Sequence, residues 1–219
     1  RLYEQWGLIP PARRSPAGYR LFEPFHLDQM KLAWELMHWP YPGGKAAVEE
    51  LVRAAARGEL DEAAARAEAY LERIRAEIAH VRAAIDALER LARGERPEAL
   101  PAPLSMRQAW TLLDLTRDEL RSWERNNLLR VARDARSGYR LYAAEQIARL
   151  RVIRMLRRAG FGLLSVLQAL NRLDAGQIEA ARAVFTAPED SEDILHVADR
   201  WLETLCGREA AAIRALGQL

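Results

Sequence analysis

A single cysteine, Cys206, stands in 219 residues. One thiol has no intramolecular disulfide partner and cannot build a thiolate-rich metal site within the chain. Its expected place is buried, as a small apolar side chain. No run of 18 apolar residues occurs, although 50% of the residues are hydrophobic, so no membrane-spanning helix is expected. No secretory signal reads at the start, and the chain does not open on Met. The expectation is a cytoplasmic chain whose N-terminus is incomplete here. No nucleophile–base pair, phosphate loop or carboxylate dyad is present, which points away from an enzyme. No cofactor and no metal are expected, and the lone His196 reads as a surface residue.

Net charge is only +2, but it is unevenly spread. Residues 121–158 hold eleven Arg against three acidic residues. Residues 59–98 hold seven Arg against ten acidic residues, and residues 179–209 hold three against eight. A local basic block of this kind is the electrostatic footprint of a polyanion binder, or else a solvated Arg-rich helix face.

The hexapeptide SGYRLY at 137–142 recurs as AGYRLF at 17–22. The offset of 120 holds without a gap: Arg1, Glu4, Leu8, Ala12 and Arg13 recur as Arg121, Glu124, Leu128, Ala132 and Arg133. Tyr3 aligns with Trp123, Ile9 with Leu129, Phe22 with Tyr142 and Leu27 with Ile147. A shared apolar pattern over more than 25 residues reads as an internal duplication. The period is too long for a solenoid, so two domains are expected rather than an array.

The second copy is the fuller one. Ser105 caps a first short helix, 106–113, with Met106, Ala109 and Leu113 as its apolar stripe. Asp114-Leu115 forms a tight turn. Thr116 caps a second helix, and Glu119 three residues on completes a capping box. Leu120 and Trp123 face the core. Residues 126–142 then read as a β-hairpin, or wing, turned at Gly138. It places Arg133, Arg136 and Arg140 on an exposed ribbon, as phosphate contacts require. A helix follows over 143–158, with Ile147, Leu150, Ile153 and Leu156 at helical spacing. Gly160-Phe161-Gly162 ends it, and a short helix follows over 163–173.

The strings LTRDELRSWERNNLL, DARSGYRLY and IARLRVIRMLRRAGFGL resemble the DNA-binding domain of the bacterial MerR family over residues 105–173. RLYEQWGLIPPARRSPAGYRLF, followed by Leu27, Met30 and Trp34, resembles it again over residues 1–37. The resemblance implies a transcription regulator that binds double-stranded promoter DNA, as a homodimer, and distorts an overlong spacer. RNA polymerase is then reached indirectly, through the promoter. The second helix enters the major groove and the wings grip phosphates. Carried over, the DNA-facing residues are Arg1, Tyr3, Arg13, Arg14, Tyr19 and Arg20 in the first copy. In the second they are Thr116, Arg117, Arg121, Arg133, Arg136, Tyr139 and Arg140. There are two departures. The first copy starts in mid-domain, so Arg1, Tyr3 and Glu4 would be the end of a recognition helix. The second carries Asp118 and Glu119 where the family places polar or basic residues, and Ser122 where Tyr is common.

Residues 59–93 contain neither Gly nor Pro. Leu71, Ile74, Ile78, Val81, Ile85 and Leu88 alternate at spacings of three and four, a heptad seam on a helix on the order of 50 Å long. The plain reading is a helix packed on its own chain's second domain, with one chain mimicking a dimer. A narrow stripe suits a twin helix better than a globular core, so these residues are expected to form the seam of a homodimer. A C-terminal helix is expected over about 191–216, with Ile194, Ala198, Trp201, Leu205 and Ile213 as its stripe. The fold expected is mainly α with small β-hairpin wings: two winged helix-turn-helix domains joined by a long coiled-coil-type helix. The boundaries are 1–42, 43–98 for the linking helix, 99–176, and 177–219 for the C-terminal helical segment. Gly94 to Pro103 reads as a stiff linker.

Trp34, His38, Trp39 and Tyr41 cluster beside Pro40 and Pro42. They read as a core plug or, in the sharper reading, as the lining of a small-molecule effector pocket. The function expected is a MerR-type DNA-binding regulator. The alternative is a ligand-sequestering relative that has lost specific DNA binding, which the acidic pair Asp118 and Glu119 would favour.

Overall fold

Capping side chains and left-handed glycines divide an otherwise helical chain into short elements. The computed structural model describes residues 1–38, 41–42, 44–95, 100–186 and 201–218. The chain forms two compact units, Arg1–Ile78 with Glu203–Leu219, and Ala79–Leu202.

The first unit opens on α1 (Leu2–Gln5), one helical turn. A hairpin follows, in which β1 (Arg13–Arg14) pairs antiparallel with β2 (Arg20–Leu21), Arg13 opposite Leu21. α2 (Pro24–Leu36) starts at Glu23, whose backbone N–H donates to His26 Nδ1 at 3.1 Å. Proline at its first position costs no hydrogen bond there. α3 (Lys45–Ala56) packs on α2, and Leu32, Leu36, Val48, Leu51 and Val52 are buried. The Gln29 amide donates to the Leu8 carbonyl at 3.1 Å and the Val52 carbonyl at 2.9 Å, tying three segments together.

The described part of 43–98 is two helices rather than one linking element. Gly58, at φ +76°, ends α3 with the Glu59 N–H on the Ala54 carbonyl and its own N–H on Ala55, both 3.0 Å. Only glycine adopts that conformation without strain, and the paired bonds satisfy the last carbonyls of the helix. α4 (Leu60–Ala92) then begins as a separate helix. Residues 96–99 of the expected linker lie outside the described residues.

In the second unit, β3 (Leu104–Ser105) leads into α5 (Met106–Leu112) and α6 (Arg117–Arg125). β3 pairs antiparallel with β4 (Leu141–Tyr142), Leu104 opposite Tyr142, a pairing absent from the sequence expectation. α7 (Ala144–Arg158) and α8 (Leu163–Asp174) follow as expected. α8 ends as α3 does: Gly176 at φ +77°, with the Gln177 N–H on Arg172 and its own on Leu173, both 2.9 Å. α9 (Ile178–Thr186) follows, and Phe185 meets Phe161 with ring centroids 4.4 Å apart. Internal similarity therefore runs past the hairpins. At an offset of 118, Gly58, Leu60 and Ala63 match Gly176, Ile178 and Ala181.

α10 (Trp201–Leu216) closes the described chain and returns to the first unit from Glu203. Ile194, His196 and Ala198 lie outside the described residues. Its inner face is Leu205, Arg208, Ala212 and Ala215. Cys206 is exposed, which corrects the expectation of a buried thiol: it stands about 100° around the helix from Leu205.

The heptad seam is also corrected. Leu71, Ile74, Ile78, Val81, Ile85 and Leu88 are all buried within the single chain, none more than 7% exposed. In the first unit α10 lies against α4, with Arg75 Nε 2.9 Å from the Glu209 carboxylate. In the second, Arg182 of α9 reaches Glu89 at 3.3 Å, and Ala87 and Leu91 share a cavity wall with Ala148 and Val152 of α7. The stripe is covered by its own chain, so no exposed apolar seam remains for a twin helix.

Candidate nucleic-acid interface

α6 presents two different faces. Leu120 and Trp123 point into the core, while Arg117, Arg121 and Arg125 stand exposed at i, i+4 and i+8. These three guanidinium groups engage no partner among the described residues. The start of the helix is fixed by side chains. The Thr116 N–H donates to Glu119 Oε2 at 2.7 Å, its hydroxyl donates to the same oxygen at 2.8 Å, and the Glu119 N–H donates back to Thr116 Oγ1 at 3.1 Å. The Thr116 N–H and then its hydroxyl hold the Glu119 carboxyl below its ordinary value. Both acids of the pair are exposed, but Glu119 is committed to the cap.

The turn before α6 is held from behind. Asp114 takes φ +48°, unusual for a residue with a side chain. Arg154 of α7 donates to the Leu113 carbonyl at 2.5 Å, and Arg158 donates to the Asp114 carboxylate at 2.8 Å. The Arg158 hydrogen bond keeps the Asp114 carboxyl below its ordinary value. Two of the arginines in the basic block therefore hold the turn.

The wing after α6 closes at a bridge between Arg133 and Arg140. The Asp134 N–H donates to the Tyr139 carbonyl at 2.8 Å. The Asp134 carboxylate folds into the tip, accepting the Ser137 hydroxyl and N–H at 2.7 Å each and the Arg136 N–H at 3.2 Å. The Ser137 hydroxyl and then its N–H hold the Asp134 carboxyl below its ordinary value. Gly138, at φ +71°, completes the turn. With the acid turned inward, the Arg136 side chain and Tyr139, 75% exposed, form the outer tip. Arg133 donates to the Gly138 carbonyl at 3.0 Å and remains exposed.

Arg140 sits differently from its expected place. Its Nε lies 2.7 Å from the Glu124 carboxylate, and the Tyr142 hydroxyl donates to the same group. Tyr142 is fully buried, and burial followed by the Glu124 hydrogen bond drives its phenol pKa up. The first repeat has the same lock. Arg20 Nε lies 2.6 Å from Glu4, whose other oxygen accepts the Ala12 N–H at 3.0 Å. The Ala12 bond and then Arg20 hold the Glu4 carboxyl below its ordinary value. Arg20 and Arg140 are half-buried anchors that pin each wing to the helix before it.

In the first hairpin, Arg13, Arg14 and Tyr19 are exposed, as is Arg1, while Tyr3 is half-buried. Although the repeats align without a gap, the wings differ in register. The Ser15 N–H donates to the Tyr19 carbonyl at 2.8 Å, closing a turn one residue shorter than that from Asp134 to Tyr139. Phe22, Leu27 and Met30 are exposed, whereas their counterparts Tyr142, Ile147 and Leu150 are buried. In the expected aromatic cluster, Trp34 is exposed and meets His38 edge-on at 4.7 Å. Trp39 and Pro40 lie outside the described residues.

Sequence reasoning missed Arg125 and Arg130, both exposed beside the expected set. The four-residue spacing of Arg117, Arg121 and Arg125 was the signal for the first. It also missed Glu4 and Glu124 as wing anchors, although glutamate and arginine recur together at the repeat offset.

Two short capped helices at a tight turn, with a basic outer stripe and a hairpin beside it, define a helix-turn-helix domain of the kind that reads DNA. Residues 104–173 match the family model of the MerR HTH family regulatory proteins, a segment that runs from the first residue of β3 almost to the end of α8. The match covers about a third of the chain, and it supports a MerR-type helix-turn-helix in that segment; the family is one of DNA-binding regulators. No curated protein and no solved structure matches the chain. Among the described residues, no helix is long and apolar enough to cross a membrane.

Proposed function

We propose that the chain is a MerR-type transcription regulator that binds double-stranded promoter DNA. α6 is its groove-reading helix, and the hairpin of residues 129–142 is its phosphate-gripping wing. A second, related module over residues 1–56 contributes another wing. The observation that carries the reading is the row of cations Arg117, Arg121 and Arg125 on the outer face of α6, which engage no partner among the described residues. A helix N-terminus and a cationic face suit an anionic duplex, and the exposed Arg136 adds a phosphate contact from the wing. Bending or untwisting a promoter costs ~1–6 kcal/mol, which contacts from more than one module would offset. The sequestering alternative leaned on Asp118 and Glu119, and the commitment of Glu119 to the helix cap removes half of that support.

The test is fluorescence anisotropy on the protein's own upstream duplex, titrated with salt against non-specific competitor. Tight, competitor-resistant binding is expected, with affinity falling steeply as salt rises. Arg136→Ala should lower the salt slope by ~0.9 and weaken binding to all sequences alike. Arg121→Ala should cost about 1–3 kcal/mol and relax preference at one base position. Binding indifferent to sequence and to both substitutions would remove α6 and the wing from the interface.

A further inference from the structure

We propose that one chain supplies both DNA-reading units: each repeat is joined by the helix that follows the other, no second copy is required to cover that helix, and the operator has two unlike halves. The statement about the operator rests on the DNA-binding reading above. The statement about self-sufficiency does not.

The first support is the make-up of the units. α4 follows the first repeat, yet its residues from Ala79 onward belong to the second unit. α10 follows the second repeat, yet from Glu203 it belongs to the first unit. The internal similarity at Gly58 and Gly176 makes the starts of α4 and α9 corresponding parts of the two repeats, and α10 lies further along the chain from α9. Each unit thus holds one wing-bearing repeat and a length of helix contributed by the other.

The second support is chemical. Arg208 of α10 is buried, and donates to the Glu35 carbonyl at 3.0 Å, the Leu36 carbonyl at 2.6 Å and the Tyr70 hydroxyl at 3.4 Å. Those carbonyls are the last of α2, the negative end of that helix. Arg214 adds an ion pair to the Glu35 carboxylate at 2.9 Å. A buried guanidinium seated on helix-end carbonyls is a specific fit, because the cation would be costly to bury without them. The apolar seam of α4, which would otherwise call for a twin chain, is already covered.

The third support concerns the operator. A homodimer presents one surface twice and reads a palindrome. Here the two surfaces differ. Ser122 and Arg125 on α6 correspond to Leu2 and Gln5 on α1. The wings differ by one residue in register, with Arg13 opposite Leu21 but Arg133 opposite Arg140. Two unlike readers on one chain select two unlike half-sites.

Two experiments test this. In a Cys206→Ser background, Arg75→Cys and Glu209→Cys place thiols on α4 and α10 where the native side chains touch. Treatment with a short bis-maleimide should give a product with the mass of one chain. A product of twice that mass would overturn the self-sufficiency. Should the variant fail to fold, sedimentation of the unaltered protein decides: one-chain mass is expected, and two-chain mass overturns the proposal. Selection of bound duplexes from a random pool should then enrich a non-palindromic sequence, bound by one chain per duplex. A palindrome holding two chains would overturn the operator proposal. No enrichment, together with a one-chain cross-link, would fell the DNA reading and leave the helix exchange standing.

Discussion

Glu124 joins three elements through one carboxylate. It lies on α6, accepts the buried Tyr142 hydroxyl of β4, and pairs with Arg140 at the base of the wing. Glu4 and Arg20 repeat the device. Arginines of the two hairpins therefore divide into anchored and exposed ones, and the two kinds should respond differently to truncation. Arg140→Ala and Glu124→Gln should each lower the denaturation midpoint, and a double-mutant cycle should show coupling of about 1 kcal/mol. Arg136→Ala should leave the melt unchanged while weakening DNA binding. An unaltered melt for Arg140→Ala would mean that the pair anchors nothing. The recurrence of glutamate and arginine was legible in the sequence, but their pairing was not. Contact across |i−j| of sixteen residues depends on how the hairpin folds back, which residue type alone does not state.

The helix starts were the most legible elements. Ser105 and Thr116 cap α5 and α6 where the capping-box pattern placed them, because that pattern is local and its geometry is set within four residues. Thr116→Ala should cost about 1 kcal/mol in urea denaturation, and Thr116→Ser should restore most of it. α4 is the opposite case. Its heptad spacing was plain, and its partner was not, since a stripe at that spacing fits a twin helix and a chain's own helices equally well. Ile78→Asp tests which of the two covers the seam. It places a carboxylate at a site 4% exposed, so it should cost about 4 kcal/mol or more and broaden the thermal transition. A folded protein whose association alone changed would return the seam to a twin helix.

Across the molecule, acid should act through carboxyls whose pKa values are lowered on folding. Glu4 and Glu119 are both held below the ordinary 4.5, by the Ala12 N–H first in one and the Thr116 N–H first in the other. A lowered carboxyl stabilises the folded state fully above its unfolded value, and that contribution is lost as pH falls through the folded one. Denaturation midpoints should therefore hold steady from neutral pH down to about 5, then decline. Glu4→Gln should flatten that acid limb, and a midpoint already falling at neutral pH would contradict the assignment. The sequence by itself determined the recurrence of residues at an offset of 120, the two capped helices, the turn at Asp114 and the basic stripe of α6. Each is written in neighbours a few residues apart or in a direct repeat. Only the tertiary structure decided which arginines are anchors, that the two wings differ in register, and that the α4 seam is covered within the chain. Those outcomes depend on contacts between distant segments, such as Arg208 with the end of α2, and local spacing carries no record of them.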